Sequence, residues 1–254
     1  MRSVVVFLVA VVSVGTWAAE LPEPETVWEY QCGANLKASP VFYPSVTEPT
    51  GVIANTEDGR IVLVNGQGEL LWEHDLSPEG GEGTWADASA AVGDLDGDGT
   101  MEIVTAMLEG EVVVLNADGT ERWRFPLEGS VTDWSSPCLP DLDGDGACEV
   151  LLGDQSGWMT CLSGEGKRLW RVHVDDYQVS APAFIRDPVA SPDKIVYGTE
   201  NDHVVAVSPQ GDLLWLARHN GQFGRTAPTA ADLDGDGDYE VGVITSFNNP
   251  DSRL

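Results

Sequence analysis

Three stretches of this 254-residue chain hold carboxylates at a spacing that has a definite chemistry: DLDGDGTME from Asp94 to Glu102, DLDGDGACE from Asp141 to Glu149, and DLDGDGDYE from Asp232 to Glu240. Each carries a carboxylate at positions 1, 3, 5 and 9 and a glycine at position 6. Four like charges within nine residues repel one another unless a cation joins them. A hard ion with several oxygen ligands suits this donor set, which makes Ca²⁺ the natural choice; Mg²⁺ demands a stricter octahedron and holds its waters. An EF-hand would need a Glu at position 12, where these loops place Thr105, Leu152 and Val243. Three complete loops predict three ions per chain.

The elements that must position these loops are read from an internal repeat. RIVLVNGQGELLW, EVVVLNADGTERW, WMTCLSGEGKRLW and HVVAVSPQGDLLW each run from an apolar stretch through a polar turn to a Gly and, four residues later, a Trp. The glycines are Gly68, Gly119, Gly166 and Gly211; the tryptophans are Trp72, Trp123, Trp170 and Trp215, with Trp28 preceding them by one further period. Short runs rich in Val, Ile and Leu between turn residues read as strands, and no helical stripe is present. A small residue, usually followed by Pro, opens each unit: Ser39, Ser89, Ser136, Ala181 and Ala227. Small side chains there suit an inner strand near a crowded axis.

Units of about 45 residues with four strands each predict an all-β chain, a β-propeller of four-stranded blades. The blades are placed at 37–82, 86–130, 133–177 and 179–222, with a partial unit at 225–254, so that about 4.5 to 5 blades are present. The piece near Trp28 and the pair of strands after Arg225 could close a small ring. Propellers with repeats of this kind more often use seven or eight blades, upward of roughly 300 residues. An incomplete ring is therefore expected, completed by more chain or by a second one, and its open edges would favour self-association.

The acidic loops resemble the calcium-binding hairpins of FG-GAP/VCBS repeats, found in integrin α-chain propellers, with Glu in place of their final Asp. That resemblance implies side-chain ligation by Asp94, Asp96, Asp98 and Glu102, with the Thr100 carbonyl; by Asp141, Asp143, Asp145 and Glu149, with the Ala147 carbonyl; and by Asp232, Asp234, Asp236 and Glu240, with that of Asp238. The fourth unit reads RDPVASPDK there, with Arg186 at position 1 and Lys194 at position 9, and is expected to bind no metal. The first unit, around Glu48 to Val52, has also lost the pattern. The Gly and Trp endings are similar to PQQ-like (quinoprotein-like) repeats, although apolar residues such as Val113 and Leu115 replace that family's usual Ala and Asp.

Charge narrows the partners. With 13 Lys plus Arg against 42 Asp plus Glu, the formal charge is −29, which excludes a nucleic-acid partner and disfavours an anionic membrane. The hydrophobic share of 42% allows a sizeable core, so this is a folded acidic protein. An apolar run from Val4 to Val14 behind Arg2, followed by Ala18 and Ala19, reads as a signal peptide of about 19 residues; it is too short to span a bilayer. A secreted or periplasmic product without a transmembrane segment is expected. Of the four cysteines, Cys148 and Cys161 are the best pair for a disulfide, as neighbouring strands carry them.

No HExxH, P-loop, nucleophile elbow or dinucleotide fingerprint occurs, and His74, His173, His203 and His219 are scattered. The favoured reading is a non-catalytic propeller that binds an extracellular protein or glycan. The alternatives are a calcium-dependent polysaccharide lyase and a quinoprotein dehydrogenase, the latter without the adjacent cysteines such enzymes often carry. Aligning the units places Lys37, Asp87, Trp134, Val179 and Arg225 at the start of the inner strands, opening onto the central channel away from the acidic loops. Their chemistry varies while the framework repeats, which suits a recognition surface.

Overall fold

A computed structural model describes residues 26–45, 47–77, 85–132, 135–174, 179–186, 193–200, 203–218, 227–235 and 239–244. The expected signal peptide lies outside them, and no helix among the described residues is long and apolar enough to cross a membrane. The described chain is all-β, a propeller of antiparallel blades. Blade one comprises β1 (Val41–Tyr43), β2 (Gly51–Asn55), β3 (Arg60–Asn65) and β4 (Leu70–Asp75). Blade two comprises β5 (Ala91–Gly93), β6 (Glu102–Met107), β7 (Glu111–Leu115) and β8 (Glu121–Pro126). Blade three holds β9 (Val150–Gly153), β10 (Trp158–Leu162) and β11 (Arg168–His173), and blade four β12 (Ala183–Ile185), β13 (Lys194–Gly198), β14 (His203–Val207) and β15 (Leu213–Arg218). A pair, β16 (Thr229–Ala231) and β17 (Glu240–Gly242), begins the fifth unit and forms a sheet by itself.

Within each blade the strands follow chain order, so every connection is a hairpin. Blade three departs from the expected four strands: its inner strand is reduced to a bridge in which Cys138 and Leu151 exchange both backbone hydrogen bonds. Pro137 and Pro140 flank that bridge and have no N–H to extend it.

The middle strands are mostly apolar because both of their faces are covered. Ile53, Ile61 and Leu63 point toward blade two, whereas Ala54, Val62 and Val64 point the other way, beneath Trp28, Tyr30 and Leu36. Blade two repeats the alternation, with Ile103, Val113 and Leu115 facing blade one and Val104, Val112 and Val114 facing blade three. The core is thus a series of apolar layers between blades, and burying each Val, Leu or Ile contributes about 1.5–3 kcal/mol. The last layer joins Ile185, Val196, Val204 and Ala206 of blade four to Ala230, Tyr239, Val241 and Val243.

The same alternation removes the expected disulfide. Cys161 is paired with Leu151 and shares its face toward blade four, whereas Cys148, two residues before Val150, packs in the layer toward blade two. The two thiols stand on opposite faces of one sheet, and all four cysteines are free. Burial pushes the Cys161 thiol well above its ordinary range.

The repeated Gly and Trp form a link between successive blades. Each outer hairpin has a three-residue loop that ends on a positive-φ glycine, with a register shift beside it, as at Val114/Leu115. The indole of one blade lies over the turn glycine of the next: a Cβ added to Gly119 would stand 2.6 Å from Trp72 Cδ2, and one on Gly166 or Gly211 would stand 2.7 Å from Cδ2 of Trp123 or Trp170. Each indole N–H also donates to the carbonyl two residues before that glycine: Trp72 to Ala117 at 3.1 Å, Trp123 to Gly164 at 2.9 Å and Trp170 to Pro209 at 2.9 Å. Trp28 covers Gly68 in the same way, but its buried N–H has no partner.

Candidate metal loops and channel mouth

The acidic loops join the first and second strands of their blades, and backbone N–H groups organise them. In loop one, Asp94 Oδ1 accepts from Gly97 at 2.7 Å and Asp94 Oδ2 accepts from Gly99 at 2.7 Å, which wraps the chain around the first carboxylate. Gly97 and Gly99 take positive φ there, a conformation that L side chains rarely adopt. Loop two repeats this through Asp141, with Gly144 at 2.7 Å and Gly146 at 3.2 Å, and loop three through Asp232 and Gly235 at 2.6 Å.

The ninth position closes each loop from below. Glu102 Oε2 accepts from Leu95 N–H, Glu149 Oε2 from Leu142 and Glu240 Oε2 from Leu233, all at 2.8 Å. Glu102 opens β6 and Glu149 stands immediately before β9; both are buried, and burial holds both carboxyls above the usual carboxylate range despite those N–H donors.

The chain thereby brings positions 1, 3 and 9 together. One ligand oxygen from each of Asp94, Asp96 and Glu102, of Asp141, Asp143 and Glu149, and of Asp232, Asp234 and Glu240 lies within 4.8 Å of the other two. Position 5 is turned to the backbone: Asp98 accepts from Thr100 N–H at 2.6 Å and Asp145 from Ala147 at 2.8 Å, and neither joins the cluster. Asp236 and Asp238 lie outside the described residues. The all-oxygen donor set and the part-buried carboxylates fit a hard divalent cation. Loop one already holds a protein cation, the Arg122 guanidinium, at 2.7 Å from Asp96 Oδ2. Sequence reading missed Arg122, whose contact spans 26 residues and depends on the blade register.

Neighbouring loops touch. Cys148 N–H, in loop two, donates to the Asp94 carbonyl at 2.7 Å. In the degenerate fourth unit, Arg186 reaches back to donate to the Asp141 carbonyl at 2.9 Å.

At the expected channel mouth, Lys37 and Asp87 do meet, at 3.0 Å, and Lys37 also pairs with Glu57 at 3.1 Å and lies 4.8 Å from the centre of the Trp85 ring. Its bond to Asp87 raises the Lys37 pKa. Glu57 and Trp85 complete a group that the alignment of inner strands did not include. Val179 corrects the expectation: it is fully buried among Leu151, Cys161 and Tyr197, its N–H bonded to the Asp154 carbonyl, and opens onto nothing. Trp134 and Arg225 lie outside the described residues.

Comparison with known proteins supports the architecture. A family profile for the lambda-carrageenase beta-propeller domain matches residues 51–131, which take in blade two and loop one. Lambda-carrageenases from Pseudoalteromonas sp. and Pseudoalteromonas carrageenovora are 33% identical over 78 residues, 31% of this chain and 8% of each of those proteins. Among solved structures, BamB from Moraxella catarrhalis superposes with a TM-score of 0.57 at 19% identity, over 81% of this chain and 58% of that one. BBS1N in complex with ARL6DN gives a TM-score of 0.60 at 16% identity, over 87% of this chain and 66% of that one. The chain spans only part of each of these proteins, and the structural likenesses are likenesses of fold.

Proposed function

We propose that this chain is the calcium-binding propeller of an exported protein and acts as a non-catalytic recognition module for a glycan or protein. The observation that carries the reading is the convergence of three carboxylates in each of three loops, in the same register, with a part-buried Glu closing each from below. Two of the three ligand positions come from the loop and the third stands at the start of the following strand or immediately before it, so a bound ion would tie each hairpin loop to its blade. FG-GAP/VCBS-type calcium hairpins supply the same arrangement by resemblance. Carboxylates committed to an ion make poor general bases. The test is calorimetric titration of metal-free protein with Ca²⁺. Three ions per chain are expected, and no heat of binding would overturn the reading.

The match of residues 51–131 to a carrageenase propeller domain favours a second reading, in which this chain takes part in polysaccharide cleavage. Incubation with lambda-carrageenan followed by a reducing-end assay separates the two. Turnover by the purified chain would replace the recognition role with an enzymatic one.

A further inference from the structure

Loops one and two are not equivalent, and what distinguishes the first is a guanidinium set against its carboxylates. Arg122 stands on β8, one place before Trp123. The other units carry Leu71, Leu169 and Leu214 at that register, exposed by 53%, 54% and 42%. Arg122 instead lays its guanidinium along the loop, with Nη2 at 2.7 Å from Asp96 Oδ2 and Nη1 at 3.3 Å from Glu102 Oε1. Both carboxylates belong to the trio that converges in loop one. In loop two, the corresponding Asp143 and Glu149 have no Lys or Arg ion-paired to them among the described residues, and Leu169 offers no charge.

We propose that Arg122 is a built-in competitor for the cation of loop one, making that loop a weaker calcium site than loop two. This rests on the calcium reading proposed for the loops. The guanidinium and a divalent ion seek the same two carboxylates, one of them the buried Glu102. Glu102 Oε2 takes the Leu95 N–H while its Oε1 faces Arg122, so the guanidinium lies against the less committed oxygen of the buried carboxylate. Loading loop one therefore requires Arg122 to let go, and its charge-assisted hydrogen bond to Asp96 and ion pair to Glu102 are subtracted from the binding energy. Loop two, with Leu169 at that register, loads without this cost. The chain would then answer calcium over two concentration ranges, with blade two tied down after blade three.

The test isolates loop one in the full chain by silencing the others with Asp143→Asn and Asp234→Asn, and then compares Arg122 with Arg122→Leu and Arg122→Gln by calorimetric titration with Ca²⁺. Each Arg122 substitution is expected to tighten loop one about tenfold, the size of one lost charge-assisted bond. If the parent chain, with all three loops intact, gives no heat with Ca²⁺, the calcium reading itself falls and the inference with it. If the parent chain binds Ca²⁺ but the Arg122 variants leave loop one unchanged or weaker, the competitor role is overturned and the calcium reading stands. Should the variants not fold, the Arg122 side-chain NMR signal in the loop-one-only protein decides. It is expected to shift as Ca²⁺ is added, and a signal that stays fixed while the loop loads would overturn the proposal.

Discussion

Replacing Trp123 by alanine tests whether the blades are held by the seating of each indole on the following turn. Trp123 packs with the layer between blades two and three, donates its N–H to the Gly164 carbonyl at 2.9 Å and lies over Gly166. Removing a buried Trp side chain costs about 3–5 kcal/mol, and the low end applies because the indole keeps some exposure. The net hydrogen bond accounts for about 0.5–1.5 kcal/mol of this. Trp215 is the matched control: it has the same place in its blade, is 37% exposed, and has no turn over which to lie among the described residues. Trp215→Ala should cost about 1 kcal/mol or less. Urea unfolding followed by far-UV circular dichroism reads both variants without depending on the tryptophan signal they alter. A loss of about 3 kcal/mol for the first and little for the second is expected. Equal losses, or no loss for Trp123→Ala, would refute the argument that the contact with the following turn stabilises the blade.

Gly166→Ala should be destabilising by at least about 1–2 kcal/mol, since φ is +76° and the new Cβ would stand 2.7 Å from Trp123 Cδ2; thermal unfolding checks it. Saturating the three loops with Ca²⁺ at about 100 times the dissociation constant should add roughly 2.7 kcal/mol per site, so that chelator lowers the melting temperature. Asp154 supplies a pH test. Burial lifts its carboxyl above the ordinary value of 3.8, and its Oδ2 has no hydrogen-bond partner. A group raised on folding stabilises the fold when protonated, and that contribution is lost as pH rises through the folded value. Asp154→Asn should therefore flatten the decline of stability with pH just above 3.8, measured as urea midpoints against the parent chain.

The loops and blades were legible because both are local. DxDxDG fixes the turn that wraps the first Asp, and Gly followed four residues later by Trp marks an outer hairpin. What escaped were contacts between strands far apart in the chain. The Gly and Trp within one unit look like partners, yet Trp123 serves Gly166 of the next unit rather than Gly119 of its own. Arg122 was hidden for the same reason, because its neighbours in sequence say nothing of Asp96 and Glu102. Cys148 and Cys161 could have been separated on paper: Cys148 shares the parity of Val150, whereas Cys161 pairs with Leu151. Val179 was misplaced because alignment of the units ignored its own β-bridge to Thr199, which draws it into the core.

Because Trp28, Trp72, Trp123 and Trp170 are each seated by the blade that follows, the molecule has a direction that matters while it is being made. Trp123 leaves the ribosome 43 residues ahead of Gly166, and at 5–20 residues per second its seat arrives roughly 2–9 s later. During that interval the newest blade shows an apolar flank to its surroundings, and only the arrival of the next turn closes it. Synthesis thus proceeds with one unfinished blade at a time. Pausing in the stretch between a tryptophan and the following glycine prolongs the life of a sticky intermediate, while pausing just after the glycine lets a finished blade settle.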